Sequence, residues 1–414
     1  MRRAMLTFIA LALCASAALY IVETGQPTGS RDDLAPRLQA IVSGVIAKDG
    51  TVRNCVLAVA KGDGSFHWSG AAGVAQQNGG KPMTADTPIY IASVTKLFTA
   101  TVVMRLYEQQ ALKLDDPMAR YLPASLIHGI NTYGGGDYSS AITIGDLLAH
   151  RSGIADYYDE KGRDGRSVAD SLRTDPRAIW SVDQEIARAR DELRPQSAPG
   201  TATYYSDTNY QLLGKIIEAV TGQHLGAVYE NLLFHPLGLR HTRLIGYGPS
   251  PAASTLPAEV FHAAQNITDA RSSTAYWADG GIVSTVGDMV AFLQALNQGR
   301  IIHPDTLELM HHWHKLWLPI QYGYGTMYIR TPGFIVRDLL GFAPMWGHSG
   351  STGSFLYYVS EFDLYMAGTI DQTESNVEPF ILMWRVMHAF GSSIPTPAHG
   401  LSALAIGTDR AILD

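Results

Sequence analysis

Ser93-Val94-Thr95-Lys96, running on into Leu97-Phe98-Thr99-Ala100-Thr101-Val102-Val103-Met104-Arg105-Leu106, is the stretch on which the reading of this chain turns. From Ser93 to Leu112 the residues read as one helix, apolar nearly all round. A helix with apolar residues on every face sits in the middle of a fold. If Ser93 opens that helix, Lys96 lies one turn later on the same face, with Cβ atoms ~5–6 Å apart. A serine becomes a nucleophile when a base is within hydrogen-bond reach and donors await the oxyanion. The free N–H groups of a first helical turn carry about half a positive charge and supply one such donor. Apolar surroundings would desolvate Lys96, lower its pKa and make a neutral amine accessible. Lys96 is the only lysine of the chain with a serine three residues before it. Taken alone, the pattern is equally the capped start of an ordinary helix.

Upstream, Leu38, Ile41, Val42 and Val45 repeat at helical spacing. Two strand-like runs follow, Cys55–Ala60 and Phe66–Val74, and Gly62-Asp63-Gly64 between them marks a hairpin. Downstream, residues 97–275 read as helices and loops, among them Ile144–His150, a Gly/Asp-rich loop at 159–166 and a helix over Asn209–Val220. After Gly280-Gly281 come a helix at Val286–Asn297, strand-like runs at Gly325–Arg330, Phe355–Val359 and Leu364–Ile370, and a closing helix over 377–390. Strands at both ends with helices between predict an α/β (α+β) fold, an antiparallel sheet flanked by helices with a mainly helical subdomain inserted. The sheet subdomain is expected over about 36–96 and 280–390, the helical one over about 97–279, and a loosely held tail over 391–414.

Composition narrows the function. The chain has 414 residues, 46% hydrophobic and 17% charged, which is ordinary globular composition, and a net charge of -7 that excludes a basic nucleic-acid surface. Of two cysteines, Cys14 falls in the N-terminal apolar run and Cys55 in a Val-Leu-Ala-Val context that reads as core. No disulfide framework or multi-cysteine zinc site follows. Arg2 and Arg3 precede an apolar run from Met5 to Val22, so residues 1–22 read as a signal peptide or membrane anchor and 23–35 as a polar linker. Export to the periplasm or beyond is the expectation.

Two further segments complete a constellation. Pro199-Gly200 leads into Tyr205-Ser206-Asp207-Thr208-Asn209-Tyr210 and an apolar helix. A tyrosine beside a lysine ammonium can relay a proton, because the cation lowers the phenol's pKa. Alone it reads equally as an aromatic packing residue. Gly347-His348-Ser349-Gly350-Ser351 lies among strand-like segments, where its glycines permit close approach to a ligand and Ser351 can offer a second oxyanion N–H. On its own it reads as a glycine-rich turn. Taken in order, these three boxes resemble the active-site boxes of the serine β-lactamase and penicillin-binding protein superfamily. They are most similar to its class C branch, where Tyr-x-Asn and a Lys- or His-x-Gly box take the second and third places. Leu147–Gly153, Asp115-Asp116-Pro117 and Gly280–Thr285 resemble that branch too, and the resemblance spans about residues 36–390.

The resemblance implies a β-lactamase/transpeptidase-like catalytic domain and a covalent acyl-enzyme on Ser93. Lys96 and Tyr205 would handle protons, and Asp207, His348, Ser349, Gly350 and Ser351 would bind substrate or the oxyanion. It implies a D-alanyl-D-alanine carboxypeptidase or β-lactamase acting on peptidoglycan peptides or β-lactams. The alternatives are a small-acyl esterase on the same fold and a non-catalytic cell-wall peptide binder. Two departures qualify it. His348 stands where a lysine is common, so a substrate carboxylate would be held less firmly. Asp207 stands where asparagine is usual, and a carboxylate about 4 Å from Lys96 favours the ammonium by roughly 4 kcal/mol at an effective dielectric of ~20. It would also oppose a tyrosinate at Tyr205, so a retuned relay and weak β-lactamase activity are expected.

No cofactor or metal is expected. There is no H-E-x-x-H, no Walker loop and no complete G-x-S-x-G. His311-His312-Trp313-His314 reads as helical histidines in a solvated or capping role rather than a metal site, and His150 as structural.

Overall fold

In the computed structural model, residues 33–48, 50–248, 256–269, 276–330, 342–375 and 377–391 are described. The expected signal peptide or anchor, nearly all of the linker and nearly all of the C-terminal tail lie outside them. Among the described residues no helix is long and apolar enough to cross a membrane.

Strand β1 (Asn54–Lys61) shows how the sequence builds two cores at once. Successive side chains of a strand point to opposite faces. Val56, Ala58 and Ala60 accordingly join one apolar cluster and Cys55, Leu57 and Val59 another, all of them buried. β2 (His67–Gln76) folds back on β1 through the Gly62–Gly64 turn, and β3 (Lys81–Pro82) edges it. The other six strands of the sheet come from the far end of the chain: β4 (His314–Trp317), β5 (Ile320–Tyr322), β6 (Met327–Ile329), β7 (Met345–Ser349), β8 (Phe355–Val359) and β9 (Leu364–Thr369). The spatial order is β4-β5-β6-β7-β8-β9-β1-β2-β3, antiparallel throughout. β9 pairs with β1, Ala58 opposite Ala367, and so joins the two ends of the chain.

Helices cover both faces. On one side α1 (Leu34–Lys48) and α8 (Glu378–Gly391) pack Leu38, Val42, Leu382 and Met387 against Leu57, Val59 and Met366. On the other, α2 (Thr95–Glu108) and α7 (Val286–Asn297) pack against Val56, Ala58 and Leu356, with Phe98 stacked on Phe292 at 3.7 Å between centroids. Each such fully buried apolar side chain contributes about 1.5–3 kcal/mol.

Between the two sets of strands lie α3 (Ile144–Leu148), α4 (Val182–Asp191), α5 (Asp207–Thr221) and α6 (Trp277–Gly280). Thr143 and Asp146 cap α3 reciprocally, and Gly222, at φ 67°, ends α5. Leu212, Leu213, Ile216 and Ile217 form the buried stripe of α5.

Some expectations need correction. The helix expected over Ser93–Leu112 begins with a 3-10 turn at Ala92–Val94 and stops at Glu108, where Gln110 takes φ 58°. The histidine run is not one helix: Pro304–Met310 is helical, His311 caps it, and His314 opens β4. His311 takes the capping role, and its partly buried ring stacks on Trp313 at 4.9 Å, burial pushing its pKa down to about 4.

Candidate active site

Ser93 lies on the turn that feeds α2. Ile91 donates its N–H to the Ile282 carbonyl at 3.1 Å, which anchors the approach, and Ala92 adopts φ 45°. A non-glycine residue in that left-handed region stores strain, and here it immediately precedes Ser93. Ala92 and Val94 are buried while Ser93 stays partly exposed.

Lys96 is only 1% exposed. Its ammonium donates to Ser93 Oγ at 3.1 Å and to the Asp279 carbonyl at 2.7 Å, and forms an ion pair with Asp207 at 2.5 Å. Asp207 is the first residue of α5, where the helix dipole favours an anion, and Lys96 lies in the first turn of α2, where it disfavours a cation. Burial works to lower the lysine pKa, but Asp207, with Tyr205 and Asp279, outweighs it and holds the pKa above the ordinary value. The neutral amine expected from an apolar setting is therefore corrected: the counter-ion wins and Lys96 is an ammonium.

Tyr205 packs beside Lys96, whose Nζ is 5.2 Å from its ring centroid. Burial raises the phenol's pKa and Asp207 adds to this, against the lowering pull of Lys96, so Tyr205 is a neutral phenol. Aromatic rings hold it in place. His150 lies 4.2 Å from it between centroids, Tyr322 5.7 Å and Trp317 6.4 Å. His150 accepts at Nδ1 from the Ser206 N–H at 3.2 Å and lies 3.0 Å from Asn209 Nδ2, tying α3 to the start of α5. That is the structural part expected of it.

The third box is the end of β7. Its close approach to the nucleophile turn depends on Gly350, where a Cβ would sit 2.6 Å from the Ile91 carbonyl and 3.0 Å from Ala92 Cβ. Thr352 and Ser354 donate to the carbonyls of Tyr90 and Ile91 at 2.9 and 2.7 Å, clamping the strand end beside Ser93. Ser351 lies exposed at this end. Ser349 Oγ is engaged with Tyr357 at 2.9 Å. His348 departs from its expected role. It is fully buried, its Nδ1 donates to the Ser349 carbonyl at 2.8 Å and its Nε2 lies 3.0 Å from the Tyr322 hydroxyl. Burial, reinforced by Lys96, pushes its pKa down to about 3, so it is a neutral interior link and offers no charge to a carboxylate.

Sequence reasoning missed the buried acids behind Lys96. Asp156 accepts from the Asp207 N–H at 3.1 Å, and burial, with Asp207 and Asp159, raises its pKa well above the carboxylate range. Tyr157 donates to Asp279 at 2.8 Å, and Gln211 donates to Glu185 at 2.6 Å and to Tyr157 at 3.3 Å. Burial pushes Asp279 up to about 8 and Glu185 up to about 10. Asp207 is the carboxylate in direct contact with Lys96, at 2.5 Å. Among the described residues no group of three His, Cys, Asp or Glu side chains is arranged to hold a metal ion.

The arrangement is a partly exposed serine, an ammonium bonded to its hydroxyl and a neutral phenol beside that ammonium, next to a strand end. The family described as Beta-lactamase matches residues 42–387. Penicillin-binding protein 4 of Amycolatopsis lactamdurans is 28% identical over 327 residues, 72% of this chain and 74% of that protein. Esterase EstB of Burkholderia gladioli is 31% identical over 229 residues, 52% of this chain and 53% of the esterase. Several curated relatives are thus spanned over only about half their length. Among solved structures, a D-stereospecific amidohydrolase from Streptomyces sp. is 26% identical with a TM-score of 0.67, covering 83% of this chain and 97% of that one.

Proposed function

The chain belongs to the beta-lactamase family, and on that premise we propose that it is a serine hydrolase working through an acyl-enzyme on Ser93. The observation that carries this is the Lys96 ammonium 3.1 Å from Oγ of the partly exposed Ser93, with the Tyr205 ring beside the same ammonium. Ser93 Oγ attacks the acyl carbon, and the C–O or C–N bond to the leaving group breaks. The serine proton passes to Tyr205 as the phenol passes its own to the leaving group, so the phenol stays neutral. Lys96 remains an ammonium and stabilises charge developing on Oγ. The Ser93 and Ser351 N–H groups would hold the oxyanion, a contribution of ~3–4 kcal/mol per donor. Water then takes the place of the leaving group and the same path runs in reverse.

Relatives named a penicillin-binding protein, an esterase and a D-stereospecific amidohydrolase support acyl transfer as the reaction class. Candidate substrates are D-alanyl peptides, β-lactams and small esters. Export rests on Arg2, Arg3 and the apolar run to Val22. A panel of one β-lactam, one D-Ala-D-Ala peptide and one short-chain ester tests the reading. Turnover of at least one is expected, falling at least about a thousandfold in Ser93→Ala. Turnover that survives the substitution, or none with any of the three, refutes it.

A further inference from the structure

We infer that the cleft at Ser93 selects acyl donors with no carboxylate beside the scissile bond, neutral esters and amides, and that Asp207 sets this preference; the inference rests on the Ser93 reading above. Lys96 is 1% exposed and spends its charge on Asp207, whereas the Asp207 side chain is 14% exposed. The member of the ion pair within reach of a ligand is therefore the anion. Both ring nitrogens of His348 are engaged inside the protein, and Ser349 Oγ is turned to Tyr357. His150 is buried beneath Tyr205 with its Nδ1 facing Ser206 and Asn209. Arg151 next to it is directed at the Gly200 carbonyl and at His314. Among the described residues of the three boxes, Lys96, His150 and His348 are all buried, and the neighbouring Arg151 is engaged within the protein. A leaving group ending in a carboxylate would meet the Asp207 carboxylate first, with the Lys96 ammonium that pairs it lying behind, and like charges across an interface discriminate. A neutral leaving group meets Trp317 and Tyr205, whose rings lie 6.4 Å apart, and loses nothing.

The test is a pair of depsipeptides, N-acetyl-D-alanyl-D-lactate and its lactamide. Acyl group and reacting ester are the same in both, and only the second releases an uncharged alcohol. Steady-state kinetics on the purified full chain should give kcat/KM at least about tenfold higher for the lactamide, mostly through KM. The ratio should approach one in Asp207→Asn. It should also shrink in the unaltered protein between ~0.05 and ~0.5 M salt, because exposed charge is screened; this arm needs no variant to fold. Equal or faster turnover of the lactate by the unaltered protein overturns the inference. So does a preference that persists in Asp207→Asn or is insensitive to salt, and so does failure to turn over either compound. Turnover persisting in Ser93→Ala would instead refute the nucleophile assignment, and the charge preference would still be readable from the same two rates.

Discussion

Glu185 carries more of the energetics of this site than its distance from Ser93 suggests. Its carboxyl is fully buried, accepts one hydrogen bond from Gln211, and is pushed up to about 10 by burial. An unfolded glutamate titrates near ~4.3. Between those values the folded chain keeps a proton that the unfolded chain has released, so this residue's contribution falls as pH rises through the window. Glu185→Gln is a neutral isostere of the protonated acid and removes the dependence. The variant should match the parent in urea denaturation at pH 5 and gain on it steadily towards pH 9. A stability difference independent of pH would show that Glu185 is ionised in the fold. At this scale Ser93, Lys96 and Tyr205 were legible as candidates because their chemistry is written in short local patterns. Glu185 and Asp279 were not, because a buried acid is recognisable only when its surroundings are known. The fate of His348 was hidden for the same reason, since the Tyr322 that engages it lies on another strand.

Among the elements, β7 and the turn before α2 matter most, because they meet with no room for a side chain. Gly350→Ala would drive a methyl group into the Ile91 carbonyl and Ala92 and push the strand end away from Ser93. Displacement of about 1 Å at such a site costs on the order of 100-fold in rate. The expected result is a loss of kcat/KM of that order with near-unchanged thermal unfolding; full activity would mean that the strand end plays no part in the chemistry. Period-two and period-3.6 patterns made β1, α5, α7, β8, β9 and α8 visible in the sequence, since each buries a regular face. The β4–β5 hairpin escaped notice. Its residues alternate weakly, Leu318 at its tip is exposed, and nothing local marks it as part of the sheet.

In the whole molecule, the large sheet is assembled from residues 54–82 and 314–369, and the segment between carries Tyr205, just before α5, and Asp207, the first residue of α5. We propose on this basis the division expected from sequence, a sheet subdomain with a helical one inserted. Ser93 then stands at the junction, on the turn entering α2, and Tyr205 reaches it from the helical side. This arrangement makes catalysis depend on long-range closure, which is why order along the chain suggested the site but not its charge balance. Intact-protein and peptide mass spectrometry after rapid quenching with an activated short-chain ester tests the central claim most directly. The prediction is one acyl group per chain, located on Ser93 and absent from Ser93→Ala; turnover without any such adduct, or an adduct on another residue, would contradict it.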